Sequence, residues 1–327
     1  MRPAYPYHMV LIITEHCNLN CIHCSTASSK YTKRVMTYEQ VIDVLNQLAK
    51  AGIVDVAFSG GEPLLHPHIF ELIQYARKTG FQTGLSSNGY PVTQKTIQRL
   101  KNVGLNRLQI SLDGLKQEHD HMRGSGAFEY ASTAILSSLG NGLTTNVCFT
   151  ATRENQHCFA DTIDYVAGLG INGFNLSKLV PTGRGDIEKV LSSTETEKLF
   201  GTFIDKKKQY PDIKFTSHLA GLCLYDDTSV KASGFIGCQA GIYIGCVKVS
   251  GDITPCVLFS KNIGNLFERP FKEIWQNSST IHSLKERELG GICGHCDKKD
   301  VCGGCRAVAY AQTGDFLGED ATCSHII

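Results

Sequence analysis

The stretch CNLNCIHC (residues 17–24) closely follows an apolar run, MVLIIT (residues 9–14). It places three thiols within eight residues, at spacings of three and then two, and offers no fourth cysteine. A structural zinc site closes its tetrahedron with four ligands, so zinc would need His16, His23 or a distant residue. An iron–sulfur cube normally takes four thiolates, so three would leave one iron open to a small molecule.

The charge composition is nearly balanced, with 32 Lys and Arg against 31 Asp and Glu. The obvious basic run, DKKKQY (residues 205–210), fits the solvated end of a helix, where the helix dipole favours lysine. We therefore expect no nucleic-acid partner. No stretch is long enough to predict a membrane span, and the N-terminus lacks a signal peptide's cleavage site, so we expect a cytoplasmic protein.

The cysteine content is unusual, because 14 cysteines are present and eight of them lie between residues 238 and 323. A cytoplasmic chain does not use cysteines as a disulfide framework, which favours metal binding or redox chemistry. The segment from residue 238 onward is rich in glycine and cysteine and has little regular periodicity. Such a segment is typical of a domain ordered by metal rather than by apolar burial.

The first 180 residues alternate short β-branched runs with helical patterns. The predicted strands are residues 9–14, 54–59, 81–87, 107–112, 144–150 and 173–180. The predicted helices between them are residues 38–52, 66–80, 93–104, 127–140 and 158–170. Thr37 and Thr93 stand where N-caps belong, and nearly every helix ends in glycine. This alternation predicts a parallel sheet with right-handed crossovers.

Six β–α units are fewer than the eight that close a full barrel. We therefore predict an α/β fold with a partial, open (β/α)6 barrel over residues 1–190, and chemistry at the carboxyl ends of its strands. A doubly wound open sheet is an alternative that the pattern does not separate from it. We expect a helical linker over residues 191–236, with its helix capped by Ser193 or Thr194, and a cysteine-rich domain over residues 237–327.

The spacing of Cys17, Cys21 and Cys24 resembles the CxxxCxxC motif of the radical S-adenosylmethionine (SAM) enzymes. In that family the three thiolates hold a 4Fe–4S cluster, and the amine and carboxylate of SAM chelate its open iron. One electron then cleaves SAM to a 5′-deoxyadenosyl radical, which abstracts a hydrogen atom from the substrate. The residue before the third cysteine is usually aromatic in the family and is His23 here.

SGGEP (residues 59–63) is similar to the family's GGEP motif, which implies that Gly60, Gly61 and Glu62 meet the methionyl amine of SAM. A tight turn into a helix would also explain its glycines and proline. The resemblance implies further polar contacts to the ribose and carboxylate of SAM from Asn88, Ser111, Asp113 and Arg123. A guanidinium matches carboxylate geometry, although a surface role is the alternative for Arg123.

The eight C-terminal cysteines leave a zinc ribbon or paired zinc sites as one alternative. Their pattern resembles the SPASM domain of radical SAM enzymes, except that two residues rather than three separate Cys302 and Cys305. The resemblance implies two auxiliary 4Fe–4S clusters, and so three clusters in all. One would be held by Cys238, Cys246, Cys256 and Cys305, and the other by Cys293, Cys296, Cys302 and Cys323.

Three cysteines fall outside these motifs. Cys148 and Cys158 are expected to be small buried apolar residues. Cys223 lies in the connection between the two domains, and the resemblance implies a possible role in returning a hydrogen atom to a substrate radical. Plain burial is the alternative for this thiol as well. The histidines at positions 66, 68, 119 and 121 are expected at the surface or at helix caps.

The resemblance implies reductive cleavage of SAM and leaves the substrate open. We expect modification of a ribosomally made peptide or protein, presented by a separate leader-binding protein because no leader-gripping domain precedes residue 17. The runner-up is decarboxylation or deacetylation of a tetrapyrrole side chain. A flavodoxin or ferredoxin is the expected electron donor. A non-catalytic iron–sulfur electron carrier and a zinc-binding interaction module are the alternatives of other classes.

Overall fold

The computed structural model describes residues 2–90, 92–217, 219–225, 237–323 and 325. Ten strands form one sheet in the order β10-β9-β8-β1-β2-β3-β4-β5-β6-β7. The strands β1–β5 are His8–Thr14, Asp55–Gly60, Gln82–Ser87, Arg107–Ser111 and Thr145–Ala151. The strands β6–β10 are Gly173–Lys178, Lys214–Ser217, Ile244–Val247, Asp252–Thr254 and Gly264–Asn265.

The helices that follow the strands match the predicted alternation. The helices α1–α4 are Tyr38–Lys50, Ile69–Lys78, Gln94–Asn102 and Lys116–Arg123. The helices α5–α7 are Ala127–Gly140, Phe159–Gly168 and Ser193–Gln209. In the C-terminal part, α8–α11 are Phe271–Asn277, Ser279–Glu286, Gly291–His295 and Arg306–Thr313. Short 3-10 helices occupy Pro63–Leu65, Gln156–Cys158, Ile187–Lys189 and Ala220–Leu224.

The strands β1 to β7 lie side by side in chain order and are all parallel. A doubly wound sheet reverses its strand order at a switch point, and this sheet does not. The sheet also remains open, since β7 and β10 are its two ends. The predicted partial barrel is therefore confirmed.

The helix-facing side of the sheet carries the main apolar core. Side chains from β1 to β6 alternate, and the set that points toward the helices includes Leu11, Phe58, Ile110, Phe149 and Leu176. They pack against apolar faces of the helices. The other set points toward the inside of the open barrel. This alternation follows from the two-residue period of a strand and leaves the inner wall free for polar residues.

Local signals set the helix ends much as expected. Thr37 caps α1 in a capping box, and the hydroxyl of Thr93 accepts a bond from the Thr96 amide at the start of α3. The cap of α7 is Ser192, one residue before the predicted pair, because its hydroxyl accepts from the Glu195 amide.

The four strands outside the predicted set lie in segments expected to be a linker or an irregular domain. Strand β7 pairs with β6, and β8 pairs in parallel with β1. The linker and the cysteine-rich segment therefore both extend the barrel sheet. Within the described residues, no helix is both long enough and apolar enough to span a membrane.

Candidate active site

A cavity opens at the carboxyl ends of the barrel strands. It has a volume of about 200 Å³ and is open to solvent. Its wall is built from β1 to β6, from the cysteine loop after β1 and from the segment after β9. The last part brings Val257 and Leu258 to the rim, so the cysteine-rich domain closes one side of the barrel opening.

The inner wall of the cavity carries a row of small hydroxyl side chains. They come from five successive strands and are Ser59, Ser86, Ser111, Thr150 and Ser177. Each of these residues is next in sequence to a residue whose side chain points to the helices. Because side chains alternate along a strand, the hydroxyl side chains point into the barrel. The predicted contact residue Ser111 belongs to this row. Small hydroxyl groups leave room for a ligand and offer it donors and acceptors.

The three thiols of the opening motif lie together on the cavity wall. Cys17 and Cys21 are buried and Cys24 is half-buried. The Leu19 amide lies 3.4 Å from the Cys17 sulfur, and the Asn88 side-chain amide lies 3.7 Å from it. Burial raises the pKa of the Cys17 thiol to about 12, so a bound cation would have to displace its proton.

The predicted turn SGGEP packs directly on the cysteine loop. A Cβ on Gly60 would lie 2.2 Å from the Thr14 carbonyl oxygen, and one on Gly61 would lie 2.3 Å from that of His16. The Gly61 and Glu62 amides donate to the same two carbonyls, at 2.8 and 2.9 Å. The two glycines are therefore required by close backbone approach, and both line the cavity.

The Glu62 side chain lies behind the cavity wall and is fully buried. Its carboxylate accepts bonds from the Leu64 amide, the Ser87 hydroxyl and the Asn88 amide, at 3.1, 3.1 and 2.8 Å. Burial raises its pKa to about 7, against the lowering effect of these donors. Glu62 thus ties the end of β3 to the end of β2, and its contact with the amine of SAM stays a prediction.

Arg123 lines the cavity and is held by a buried ion pair. Its Nε lies 2.5 Å from Oδ2 of Asp113, which also lies 3.1 Å from Nε2 of His23. Burial opposes ionisation of Asp113, but the Arg123 guanidinium and His23 outweigh it and hold the pKa of that carboxyl far below its usual range. Asp113 therefore orients Arg123 from behind. Direct contact of either residue with SAM stays a prediction.

Two of the histidines expected at the surface are buried structural residues, which corrects that expectation. His119 accepts a bond from the Asp113 amide through Nδ1 at 2.9 Å. Burial lowers its pKa to about 3, so it is neutral. His66 donates from Nε2 to the Met36 carbonyl at 2.9 Å and is also buried. Both residues therefore hold loops beside the site.

The loop PTGRGD (residues 181–186) also contacts the cysteine loop, and the sequence motifs did not predict this contact. The Arg184 amide donates to the Cys24 carbonyl at 2.9 Å, and Arg184 Nε donates to the Cys21 carbonyl at 2.8 Å. Gly183, with φ +63°, lies so close that a Cβ would stand 2.4 Å from the Cys24 oxygen. This loop therefore fixes the backbone between two of the thiols.

Buried polar atoms without partners surround the cysteine loop. Within the described residues they are Asn18 Nδ2, His23 Nδ1, Thr182 Oγ1 and Arg184 Nη2. Buried polar groups are nearly always hydrogen-bonded, so a cluster of exceptions points to a missing partner. Three thiols with an open side, next to unsatisfied donors, suit a cluster whose additional ligand bears a carboxylate. The residues present therefore fit a 4Fe–4S cluster with SAM.

The C-terminal thiols form two groups that match the predicted sets. The inner group is Cys238, Cys246, Cys256 and Cys305. The outer group is Cys293, Cys296, Cys302 and Cys323. The groups adjoin each other, since the Cys238 amide donates to the Cys302 carbonyl at 2.8 Å. Cluster ligation by each group stays a prediction.

The leftover cysteines lie away from the cavity lining. Cys223 is buried against Cys302 of the outer group, and its thiol donates to the Ala220 carbonyl at 3.0 Å. This placement gives a hydrogen-donor role no geometric support, and that role stays a prediction. Cys158 is buried. Cys148 is half-buried rather than buried as expected, because it lies on the inner face of β5, where the Asn175 side-chain amide is 3.6 Å from its sulfur.

Comparison with known proteins agrees with this geometry. The model of the radical SAM superfamily matches residues 11–166, and that of the SPASM iron–sulfur cluster-binding domain matches residues 238–305. The AdoMet-dependent heme synthase of Methanosarcina barkeri is 33% identical, over 95% of this chain and 94% of its own length. The mycofactocin maturase MftC of Mycobacterium tuberculosis is 29% identical, over 95% and 81%.

A solved structure shows the same fold. Streptococcus suis SuiB bound to S-adenosylmethionine superposes with a TM-score of 0.80, at 18% identity, over 98% of this chain and 78% of SuiB. This shared fold agrees with the two family matches and with the sequence similarity to the heme synthase, which extends over nearly the whole of both chains. The chain belongs to the radical SAM superfamily and is a radical SAM enzyme with a SPASM domain, the iron–sulfur module that carries auxiliary 4Fe–4S clusters.

Proposed function

We propose that this enzyme oxidatively decarboxylates propionate side chains of a tetrapyrrole. The expectation of peptide modification gives way to the former runner-up. The observation that carries the proposal is the near full-length likeness to a protein named as an AdoMet-dependent heme synthase, at higher identity than the mycofactocin maturase. Heme carries vinyl groups, which oxidative decarboxylation of propionates would produce.

The cavity supports such a substrate by its division into two surfaces. Apolar side chains of the cavity lining come from both domains and are Leu179, Val180, Val257 and Leu258. The wall behind them carries the row of hydroxyl groups and the Arg123 guanidinium. An apolar macrocycle with carboxylate arms has the same division, so its ring can rest on the rim while one arm reaches inward.

Cys17, Cys21 and Cys24 would hold the 4Fe–4S cluster, with SAM against Gly60, Gly61 and the hydroxyl row. When bound, SAM and the reduced cluster supply a radical that abstracts a hydrogen atom. The chain itself orients these groups, because the backbone of the cysteine loop is fixed by bonds from the Gly61 and Arg184 amides. Leu258 lies on one side of the cavity, where it would limit the access of water to a bound substrate.

The proposed reaction releases one electron, for which an acceptor is needed. A –CH2–CH2–COO⁻ arm that loses one hydrogen atom, then CO2 and one electron, becomes –CH=CH2. The hydrogen atom goes to the radical derived from SAM. One electron from a flavodoxin or ferredoxin is needed to cleave each SAM, and one electron leaves the substrate. The auxiliary clusters of the SPASM domain can accept the electron that leaves the substrate. We propose two auxiliary clusters, and therefore three clusters in all.

A direct test incubates the anaerobically reconstituted enzyme with iron coproporphyrin III, SAM and reduced flavodoxin. We expect 5′-deoxyadenosine together with stepwise loss of the elements of formic acid from the porphyrin, by mass spectrometry. The triple variant Cys17/Cys21/Cys24→Ala serves as the control and should produce neither. Deoxyadenosine formation with an unchanged porphyrin would contradict the tetrapyrrole proposal.

Peptide modification remains the second candidate, because the mycofactocin maturase covers almost the same part of this chain. A parallel assay uses the short peptide encoded nearest the gene, with and without a leader-binding protein. A mass change in that peptide, with none in the porphyrin, would favour this candidate.

A further inference from the structure

Lys178 is a buried cation that lines the cavity and that the sequence motifs did not single out. It is the last residue of β6, and its side chain is only 5% exposed. Lysine is almost never fully buried unless its charge is paired, because burial of an unpaired charge is costly. A buried ammonium group at a cavity wall therefore needs partners in the protein or in a ligand.

The protein supplies only some of the partners of this ammonium group, which has three N–H donors. Among the described residues, Lys178 Nζ makes one hydrogen bond, to the hydroxyl of Thr322, and its distance of 3.9 Å to Oδ2 of Asp320 is too long for a second. The Asp320 carboxylate is itself occupied, because Oδ2 accepts from the Cys305 amide at 2.7 Å and Oδ1 accepts from the Thr322 hydroxyl at 2.6 Å. Two donors of Lys178 are therefore left for a ligand in the cavity.

The charges of the cavity lining favour an anionic ligand. Among the described residues, the lining contains Arg123 and Lys178 but no aspartate or glutamate. Arg123 Nη2 lies 3.5 Å from Nε2 of His23 in the cysteine loop. Lys178 instead bonds to Thr322 of the C-terminal domain. Arg123 therefore lies on the side where the cluster and SAM would bind, and Lys178 lies on the side of the C-terminal domain.

We propose that Lys178 binds a carboxylate arm of the substrate that does not react. This inference rests on the proposed function and adds the contact that positions the macrocycle. A carboxylate that leaves as CO2 loses its charge, so an ion pair with that arm would stabilise the starting state and oppose the reaction. An arm that is retained keeps its ion pair throughout. Heme retains two propionates, so such a partner is present in both substrate and product.

The surroundings of Lys178 suit a macrocycle with an acidic arm. Leu179 and Val180 follow it in the chain and line the same cavity, together with Leu258 of the C-terminal domain. A ring in contact with these apolar side chains can place one arm at the Lys178 ammonium while another arm faces the hydroxyl row. The bond from Lys178 to Thr322 crosses between the domains, so both domains contribute to this contact.

The test measures binding and needs neither SAM nor a reductant. Iron coproporphyrin III and its tetramethyl ester are titrated into the anaerobically reconstituted enzyme and followed by Soret absorbance. Lys178→Gln keeps a donor for Thr322 but removes the charge, so affinity for the acid should fall about tenfold and affinity for the ester should stay within about twofold. Lys178→Arg keeps the charge and should bind the acid within about threefold of the wild type.

Lys206→Gln is the matched control, because this half-buried lysine is paired with Asp164 and does not line the cavity. It should bind both porphyrins as the wild type does. Equal affinity of wild type and Lys178→Gln for the acid would overturn the role of Lys178, and so would equal losses for the acid and the ester. A changed EPR spectrum of the auxiliary clusters with unchanged porphyrin affinity would instead assign the charge to the thiol group of Cys305.

A second variant keeps the proposal testable if Lys178→Gln loses iron. Thr322→Val removes the bond that orients the ammonium group, so it should weaken binding of the acid and spare the ester; no loss, or equal losses, would overturn the proposal. Porphyrin binding that depends on Lys178 but leads to no decarboxylation would contradict the proposed function and leave this inference standing. No binding of the porphyrin acid to the wild type would contradict both.

Discussion

The thiols of the barrel and those of the C-terminal domain are surrounded in opposite ways. Around Cys17, Cys21 and Cys24 the part of the chain that the structure describes leaves a cavity and four buried polar atoms without partners. Around the eight C-terminal thiols it supplies apolar packing and N–H donors within the protein itself. The comparison teaches that the first site is built to accept a ligand, and the second to enclose a complete cofactor.

The largest expected effect comes from removing the open site and keeping the enclosed ones. The Cys17/Cys21/Cys24→Ala variant should lose deoxyadenosine formation entirely and about four of about twelve irons. Its melting temperature should change little, because these thiols line the cavity and lie outside the main apolar core. Iron analysis and chromatography of SAM products measure both. Loss of most of the iron would show that the C-terminal thiols need the opening motif to bind their clusters, which would contradict the distinction between an open and an enclosed site.

The glycine turn under the open site should be the next most sensitive position. Gly61→Ala forces a Cβ against the His16 carbonyl, so the cysteine loop must shift. We expect SAM affinity to fall by about 100-fold, equivalent to about 2.7 kcal/mol, measured by equilibrium dialysis with the reconstituted protein. Gly201→Ala in α7 is the control, since its φ is not positive and its Cβ would meet no atom within 4 Å. Equal losses in both variants would refute the close-approach explanation.

Arg184→Met should weaken the open site by a smaller amount. The side chain loses its bond to the Cys21 carbonyl, while the backbone bond to Cys24 remains. A charge-assisted hydrogen bond contributes about 1.5–3 kcal/mol, so we expect SAM affinity to fall about tenfold or more. The auxiliary EPR signals should not change. A changed auxiliary spectrum with intact SAM binding would instead assign Arg184 to the C-terminal region.

A variant at the opposite end of the barrel tests whether the stability of the fold can be lowered without changing the affinity of the site for SAM. Asp55 lies 2.6 Å from His8 Nδ1 and accepts two bonds from Arg107, at 2.7 and 2.6 Å. Burial would raise its pKa, but these partners lower it to about 2. The carboxylate therefore stabilises the fold above its unfolded pKa, and this contribution is lost as the pH falls through about 2.

Asp55→Asn should therefore cost roughly 2 kcal/mol of stability at pH 7, and roughly half of that at pH 3. Equilibrium urea unfolding of both proteins, followed by the fluorescence of Trp275, measures the difference in the free energy of unfolding. SAM affinity at pH 7 should stay within about twofold. A stability difference that grew at low pH would contradict the ion-pair explanation.

The smallest effect is expected at Cys223. Cys223→Ala should keep its iron content and its rate of SAM cleavage within about twofold, because this thiol does not line the cavity. Cys223→Ser is the matched variant that keeps a donor beside Cys302. Deuterium from solvent that reaches the product in the wild type but not in the Ala variant would establish the hydrogen-donor role.

The parts of the fold that are set locally could be predicted from the sequence. The six central strands and the caps at Thr37 and Thr93 depend on β-branched runs and on hydroxyls next to amphipathic stretches. Helix α4 was missed because its buried side chains, His119 and Met122, make no continuous apolar stripe. The short strand β8 was missed because its pairing with β1 is long-range.

The residues of the site also divide into those that local sequence predicts and those that depend on long-range contacts. The resemblance to the radical SAM motifs implied the three thiols and the glycine turn, and such motifs persist because ligand number and close backbone approach restrict the residue types. The contacts of Arg184 could not be predicted, since they bind main-chain carbonyls of a loop far away in the sequence. The places of Glu62 and Asp113 behind the wall were also hidden, because a motif names a residue and not the direction of its side chain.

The pairing of β1 with β8 has a consequence for synthesis of the chain. Residues 8–11 hydrogen-bond to residues 244–247, so the outer edge of the first strand stays unpaired until the last quarter of the protein leaves the ribosome. At about 5–20 residues per second this delay is roughly 10–50 s. During that interval an apolar strand edge is open to other chains. The contacts that fix the cysteine loop come from residues 61, 62 and 184 and can form earlier, so the opening motif can be in place before its own strand is paired on both sides.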